Sequence, residues 1–394
     1  MTVLLDRRGF TRGALAGAAF AALPAYPALA RAAYTGPKII IVRFGGGVRR
    51  RETIDPTHTH APYLRHILAK RGTLFPLMEI ESAEGVKTGH GQGTLNILTG
   101  KYEAYQDVRG ELLGERFEAS VPTLFEYLRK AYAVPAHQAL IVNGEDRAQE
   151  EFFTFGNHHL YGARYRSEVL SLYRYKTHLL RRTIARHDGT DAELAAAARR
   201  LSKLEAIDYR RAGNADGADG GQVREIENFW EDWRRHFGQG GLINPRGDGL
   251  LTELAVRAMR TLQPSLMMVN YQDPDYVHWG NPAHYTRGVA IIDRGIERLV
   301  AAAGSEPAYR DNTVFVIVPD CGRDSNTLMA VPYQHHFGSR SAHEIWALIV
   351  GPGVAKNQIV DRVVQQSSIA ATVGRLMGVE TRLAEGSVLG DALL

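Results

Sequence analysis

Acidic and imidazole side chains gather at three places along the chain. Asn270-Tyr271-Gln272-Asp273-Pro274-Asp275-Tyr276-Val277-His278 joins carboxylates to an imidazole, and Asp320-Cys321-Gly322-Arg323-Asp324 sets carboxylates beside a thiol and a guanidinium. His335, His336 and His343 follow. Carboxylates and imidazoles brought to one point form the donor set of zinc or a similar divalent ion. Taken singly, each of these residues reads as a loop residue with local hydrogen bonds; their recurrence after consecutive apolar runs points to a shared site. A fourth segment, Thr88-Gly89-His90-Gly91-Gln92-Gly93-Thr94-Leu95-Asn96-Ile97-Leu98-Thr99-Gly100-Lys101-Tyr102, combines glycines that admit an anion with a helix expected to start over Thr94–Leu98. A helix N-terminus there would favour phosphate or sulfate. The segment lacks the Lys-Ser/Thr ending of a nucleotide P-loop, which excludes that reading. Arg323 could pair bidentately with an oxyanion, or equally with Asp324 or another neighbour.

Positioning these groups requires elements whose ends meet. Lys38-Ile39-Ile40-Ile41-Val42-Arg43 is a short apolar run that leads into Gly45-Gly46-Gly47, and similar runs occur at Ala139–Val142, Ser265–Asn270, Val314–Val318 and Trp346–Val350. Unbroken apolar runs of this length fit strands buried on both faces. Helical patterns lie between them, at Ala61–Arg71, Pro122–Ala131, Gly249–Thr261 and Thr286–Ala303. The alternation predicts an α/β fold, a mostly parallel central sheet with helices on both faces. Ligands of such sheets sit beyond the carboxyl ends of the strands, where the three clusters fall.

From about Glu145 to Asn244 the pattern changes to charged helices, clearest over Ala192–Ala206, followed by the glycine-rich stretch Ala212–Gly221. This region is expected to be a helical cap inserted into a single domain spanning residues 31–394. Within it, Trp230, Trp233 and Phe237 have the spacing of one buried helical stripe. His158-His159 reads as packing or a cap contact. The first thirty residues read as a twin-arginine export signal: Arg7-Arg8, a weakly apolar run from Ala14 to Leu23, and Ala28-Leu29-Ala30 as the cleavage site. The expectation is a periplasmic or secreted protein, delivered by the twin-arginine export machinery and without stable membrane insertion after processing. With 44% hydrophobic and 23% charged residues the chain is composed like a globular protein, which argues against disorder. Cys321 is its single cysteine, so no intramolecular disulfide and no Cys-rich zinc module can form. Net charge is +4, and Asp6, Arg7, Arg8 and Arg12 account for half of it, so nucleic acid is not indicated as a partner.

The order of these pieces resembles the alkaline phosphatase superfamily, which includes sulfatases and nucleotide pyrophosphatases. Pro62-Tyr63-Leu64 through Gly72-Thr73-Leu74-Phe75 is similar to its helix and "G-T-x-F" strand. Leu98-Thr99-Gly100-Lys101-Tyr102 is similar to the "L-T-G-R-Y" that closes the sulfatase nucleophile motif, and Asp275 with His278 to the metal pair "D-x-x-x-G-H", here more closely spaced. Asp320-Cys321-Gly322 is similar to "D-H-G", and His343 ahead of Gly351-Pro352-Gly353 to the last metal histidine before "G-P-G". The resemblance implies a hydrolase of phosphate or sulfate esters, with a small-molecule, glycan or lipid ester as substrate. It implies two metal ions, zinc by expectation with calcium or manganese as alternatives: Asp275, His278 and His343 on one, Asp320 on the other.

Three positions depart from that pattern. Arg43-Phe44-Gly45 stands where family members place a metal-binding Asp at the end of the first strand, His90 stands at the nucleophile position, and Cys321, which could still ligate zinc, replaces the third-motif histidine. A branch of the superfamily with "G-G-x-x-x-x-D-T-F-D-P" and "N-H-G" is similar to Gly46-Gly47-Val48 through Glu52-Thr53-Ile54-Asp55-Pro56 and to Gly89-His90-Gly91. That likeness implies Glu52 or Asp55 as the replacement carboxylate and His90 as ligand or general base, with Thr88 a nucleophile if the loop is re-registered. A protein that keeps the fold and one ion but only binds is the alternative. His58 and His60 read as surface-loop residues before they read as ligands.

Overall fold

The computed structural model describes residues 31–83, 86–103, 118–145, 148–208, 220–239, 247–279, 282–325, 334–335 and 339–394. The expected export signal, His336 and residues 212–219 of the glycine-rich stretch lie outside the described residues.

Each apolar run became a strand of one sheet. The strands are β1 (Lys38–Phe44), β2 (Gly72–Glu79), β3 (Ala139–Asn143), β4 (Glu168–Leu170), β5 (Leu266–Asn270), β6 (Thr313–Pro319), β7 (Glu344–Val350), β8 (Gln358–Ile359) and β9 (Val364–Gln365). Their order is β4-β3-β5-β1-β6-β7-β2-β8, with β9 also paired to β2. The block β4-β3-β5-β1-β6 is parallel, and β7 runs antiparallel between β6 and β2. Ile39 and Ile41 face one hydrophobic cluster while Ile40 and Val42 face the other, so both faces of β1 are buried and the run needs no polar alternation.

Helices cover the two faces as separate layers. On one side lie α1 (His90–Thr99), α2 (Leu124–Ala131) and α8 (Ser368–Met377). On the other lie α3 (Leu172–Arg186), α5 (Gly220–Phe237), α6 (Asp248–Thr261) and α7 (Pro282–Ser305), while α4 (Asp191–Glu205) buries no residue and packs on α3. The Thr190 hydroxyl and the Glu193 carboxylate cap each other's backbone at the start of α4.

The region expected to be a cap contributes more to the core than a lid would. Its strand β4 extends the sheet beside β3, and Tyr175, Phe229, Trp230 and Trp233 are buried in the same cluster as Leu140 and Val142. Three residues were too short a run to stand out in a charged context. Ala61–Arg71 forms a widened turn, Tyr63–Leu68, that tightens over Ala69–Arg71 before β2. Among the described residues no helix is long and apolar enough to cross a membrane.

Parallel pairing brings the carboxyl ends of β3, β5, β1 and β6 to one edge. In register, Asn143, Asn270 and Arg43 lie side by side on the last rungs of β3, β5 and β1. Asp320 follows β6 directly. The antiparallel sense of β7 brings its amino end, after His343, to that edge as well.

Candidate metal centre

Asp275 and His278 lie on a 3-10 segment, Asp273–Trp279, that follows β5. Residues three apart eclipse one another in such a turn. The close spacing therefore works: His278 Nε2 lies 2.9 Å from Asp275 Oδ1. The same oxygen is 2.9 Å from His90 Nε2, 3.6 Å from His335 Nε2 and 2.8 Å from Arg323 Nη2. His278 Nε2 and His335 Nε2 are 3.0 Å apart.

Three imidazole nitrogens and one carboxylate oxygen thus converge. In a tetrahedral site with bonds of about 2.0–2.1 Å the donors would be separated by roughly 3.3 Å, and the observed separations bracket that value. The donor chemistry of His90, Asp275, His278 and His335 fits one zinc-like ion. His335 is held for such a role from behind, because its Nδ1 donates to the Thr88 carbonyl at 2.7 Å and leaves Nε2 facing the cluster.

His90 opens α1, earlier than the expected start at Thr94. Gly93, one of the glycines that obscured this in the sequence, has a packing reason: a Cβ there would come within 2.1 Å of the Asp320 carbonyl oxygen, so only glycine lets α1 lie against the end of β6. The approach brings His90 Nδ1 to 2.6 Å from Asp320 Oδ2 while Nε2 faces Asp275. Burial would discourage a proton on His90, but the charges of Asp275 and Asp320 outweigh it and hold the imidazole protonated well above its ordinary range. Burial would likewise raise both carboxyls. For Asp275 the charge of His90 and the histidine hydrogen bonds prevail, for Asp320 the charges of Arg43 and His90, and both stay ionised far below the usual carboxylate range.

The neighbouring half of the edge is built differently. Arg43, wholly buried, places Nη2 at 2.5 Å from Asp320 Oδ2 and 2.7 Å from Glu145 Oε2. Gln272 donates to Glu145 Oε1 at 2.8 Å, and the Asn143 side chain ties down the turn that carries Glu145. Asp320 Oδ1 accepts from the backbone N–H groups of Cys321 at 2.8 Å and Gly47 at 3.1 Å. Gly47 sits at φ +62°, a left-handed conformation that glycine adopts without strain.

The remaining expected residues are placed as follows. His343 is outside the donor groups found among the described residues. It lies at the β7–β2 side, where its Nδ1 donates to the Ile80 carbonyl at 3.1 Å, and His335 stands in the cluster instead. Glu52 is engaged by Arg49 at 2.6 and 2.8 Å, and Asp55 accepts from Thr57 and His58 in a surface turn; neither joins the cluster. The Thr88 hydroxyl donates to the His335 carbonyl. Arg323 is fixed by the Gly46 and Gly47 carbonyls and presents Nη2 to Asp275, a neighbour other than Asp324. Cys321 Sγ lies 3.9 Å from His90 Nδ1, and burial pushes its thiol up to about 11, which keeps it protonated. Glu145, unnoticed in the sequence as a site residue, had a signal: it follows a strand end, as Asp275 and Asp320 do.

No protein-family model and no curated protein matches the sequence. Solved structures do match in shape. A protein in the alkaline phosphatase superfamily from Vibrio parahaemolyticus superposes with a TM-score of 0.55 at 13% identity, covering 93% of this chain and 72% of that one. The phosphonate monoester hydrolase SpPMH from Silicibacter pomeroyi gives 0.50 at 16%, over 90% and 75%. The lipoteichoic acid synthase LtaP from Listeria monocytogenes gives 0.50 at 11%, over 90% and 74%. The chain has the alkaline phosphatase-like α/β fold, with possible metal-binding His and Asp groups at the strand ends.

Proposed function

We propose that this chain is a metal-dependent hydrolase of phosphate or sulfate esters, acting after export to the periplasm. The observation that supports it is the convergence of His90, Asp275, His278 and His335 at the edge where the fold presents ligands. Asp275, His278 and His335 would hold the ion, zinc by its donor set, and His90 would stand beside the open position. A bound divalent ion there supplies Lewis-acid polarisation of an ester oxygen and a more acidic water.

The chain's own groups do the rest. Asp320 holds His90 Nδ1–H and thereby turns Nε2 toward the site; with its second proton repelled by a cation held beside Asp275, His90 has the arrangement of a carboxylate-oriented general base. Arg323 neutralises Asp275 and adds positive charge where an anionic substrate would arrive. The first turn of α1 adds the partial positive charge of a helix N-terminus. Thr88, its hydroxyl committed to a backbone carbonyl, is not the nucleophile in this reading, and water is.

Because an imidazole stands at the family's nucleophile position and no free hydroxyl accompanies it among the described residues at the start of α1, the binding-protein reading keeps a foothold. Purified mature protein should be loaded with zinc, manganese or calcium and assayed on aryl phosphate, phosphodiester and aryl sulfate substrates. Turnover that disappears in His90→Ala and Asp275→Asn supports the hydrolase. Ion binding without turnover on any substrate moves the protein to the binding class.

A further inference from the structure

The resemblance to the alkaline phosphatase superfamily implies two cations, and the second does not fit this chain. We propose that the Arg43 guanidinium is a built-in replacement for that cation, so that the centre takes one exchangeable divalent ion. The inference rests on the reading of the His90–Asp275–His278–His335 cluster as a metal centre, which it deepens.

Three observations carry it. First, Arg43 projects from the end of β1 and its Nη2 bridges two carboxylates contributed by the ends of two other strands, Asp320 after β6 and Glu145 after β3. A positive charge between carboxylates from several strand ends is what a metal ion would supply there, and a tethered one cannot leave. Second, the Asp320 carboxylate of the alternative donor set His90, Asp320 and Cys321 is already engaged. Its two oxygens together accept four hydrogen bonds, from Arg43, His90 and the Cys321 and Gly47 backbones. Third, Arg43 keeps its position although its Nε and Nη1 have no hydrogen-bond partner and are shut off from solvent. An arginine that leaves buried donors unsatisfied is held by its ion pairs, and replacing it by a hydrated ion would relieve that cost.

Arg43 is therefore a positioning residue. It is fully buried and cannot touch substrate; it acts through Asp320, which aims His90.

The test counts ions and their spacing. Wild type, Arg43→Lys, Arg43→Ala and Arg43→Asp would be stripped with chelator, reloaded with zinc or manganese, and analysed by elemental stoichiometry and by electron paramagnetic resonance of the manganese form. The expected result is one ion per wild-type chain with the spectrum of an isolated manganese. Arg43→Lys should keep that result, and Arg43→Asp should bind one equivalent more, with the line broadening of two ions about 3.5–4 Å apart. Coupled ions in the wild type would overturn the inference, as would Arg43→Asp and Arg43→Ala both folding without gaining an equivalent. Should neither variant fold, the wild-type spectrum alone decides. A wild type that binds nothing beside an Arg43→Asp that binds one ion would sustain the role of Arg43 and sink the hydrolase reading instead.

Discussion

The strand-end site has two halves that solve the same electrostatic problem in different ways. Around Asp275 a single carboxylate faces three imidazoles beside the Arg323 guanidinium, so the part of its charge balance that can change is carried by imidazole protons and, under the proposal, by an ion from solution. Around Asp320 two carboxylates share a guanidinium that arrives with the polypeptide. Imidazole gives up its proton near neutral pH and becomes a ligand, whereas guanidinium stays charged at any pH a protein survives. One half can therefore respond to metal and pH, and the other is set when the chain folds.

The largest expected effect lies in the fixed half. Arg43→Met leaves Asp320 and Glu145 buried without their partner and should cost the metal-free protein about 3–5 kcal/mol in urea or thermal unfolding, with Arg43→Lys costing less. Equal stability of Arg43→Met and wild type would show that the two carboxylates find other partners and would erase the contrast.

In the responsive half, Asp275→Asn removes the one carboxylate among imidazoles. Zinc affinity measured by calorimetry should fall by more than the roughly 10–100-fold that loss of an outer partner produces. An unchanged affinity would place the ion elsewhere.

The two halves should also separate by pH. The folded-state pKa of His90 is raised, so its contribution to stability is complete below about 6.5 and disappears as pH climbs through the higher folded value. Those of Asp275 and Asp320 are depressed, so theirs are complete above about 4 and lost as pH falls. Metal-free protein should be most stabilised by the site between those limits. Zinc, by repelling the His90 proton, should bind more tightly as pH rises, with up to about one proton released per ion in buffers of different ionisation enthalpy. Binding without proton release would mean that His90 is already neutral.

The smallest effect is assigned to Cys321. Because its thiol is protonated and packed in the core, Cys321→Ser should leave zinc affinity within about twofold and cost less than roughly 2 kcal/mol of stability. A large loss of affinity would restore it as a ligand and sharpen the question of a second ion.

Much of the fold was legible because buried parallel strands leave apolar runs that few other elements produce. The runs at residues 38–43, 139–142 and 314–318 all became strands of the sheet. The start of α1 was harder to read, since Gly91 and Gly93 lower helix propensity and only contact with the Asp320 backbone explains Gly93. Strand β4 was hidden by its length. Asp275, His278 and Asp320 drew notice from their place after strands, and His90 from the resemblance carried by Gly89-His90-Gly91. His335 and His343 could not be told apart by spacing, because loop path and the antiparallel sense of β7 decide which imidazole turns toward Asp275. Glu52 and Asp55 were plausible by motif, yet local partners hold both elsewhere.

Sequence by itself determined the α/β architecture and the chemical types available at the strand ends, because burial on two faces and turn chemistry are written in short stretches of residues. Tertiary structure alone decided which donors share a point and which are already neutralised. Those outcomes depend on groups far apart in the chain, such as Arg43, Glu145 and Asp320, meeting within 2.5–2.7 Å, a proximity set by strand order and register.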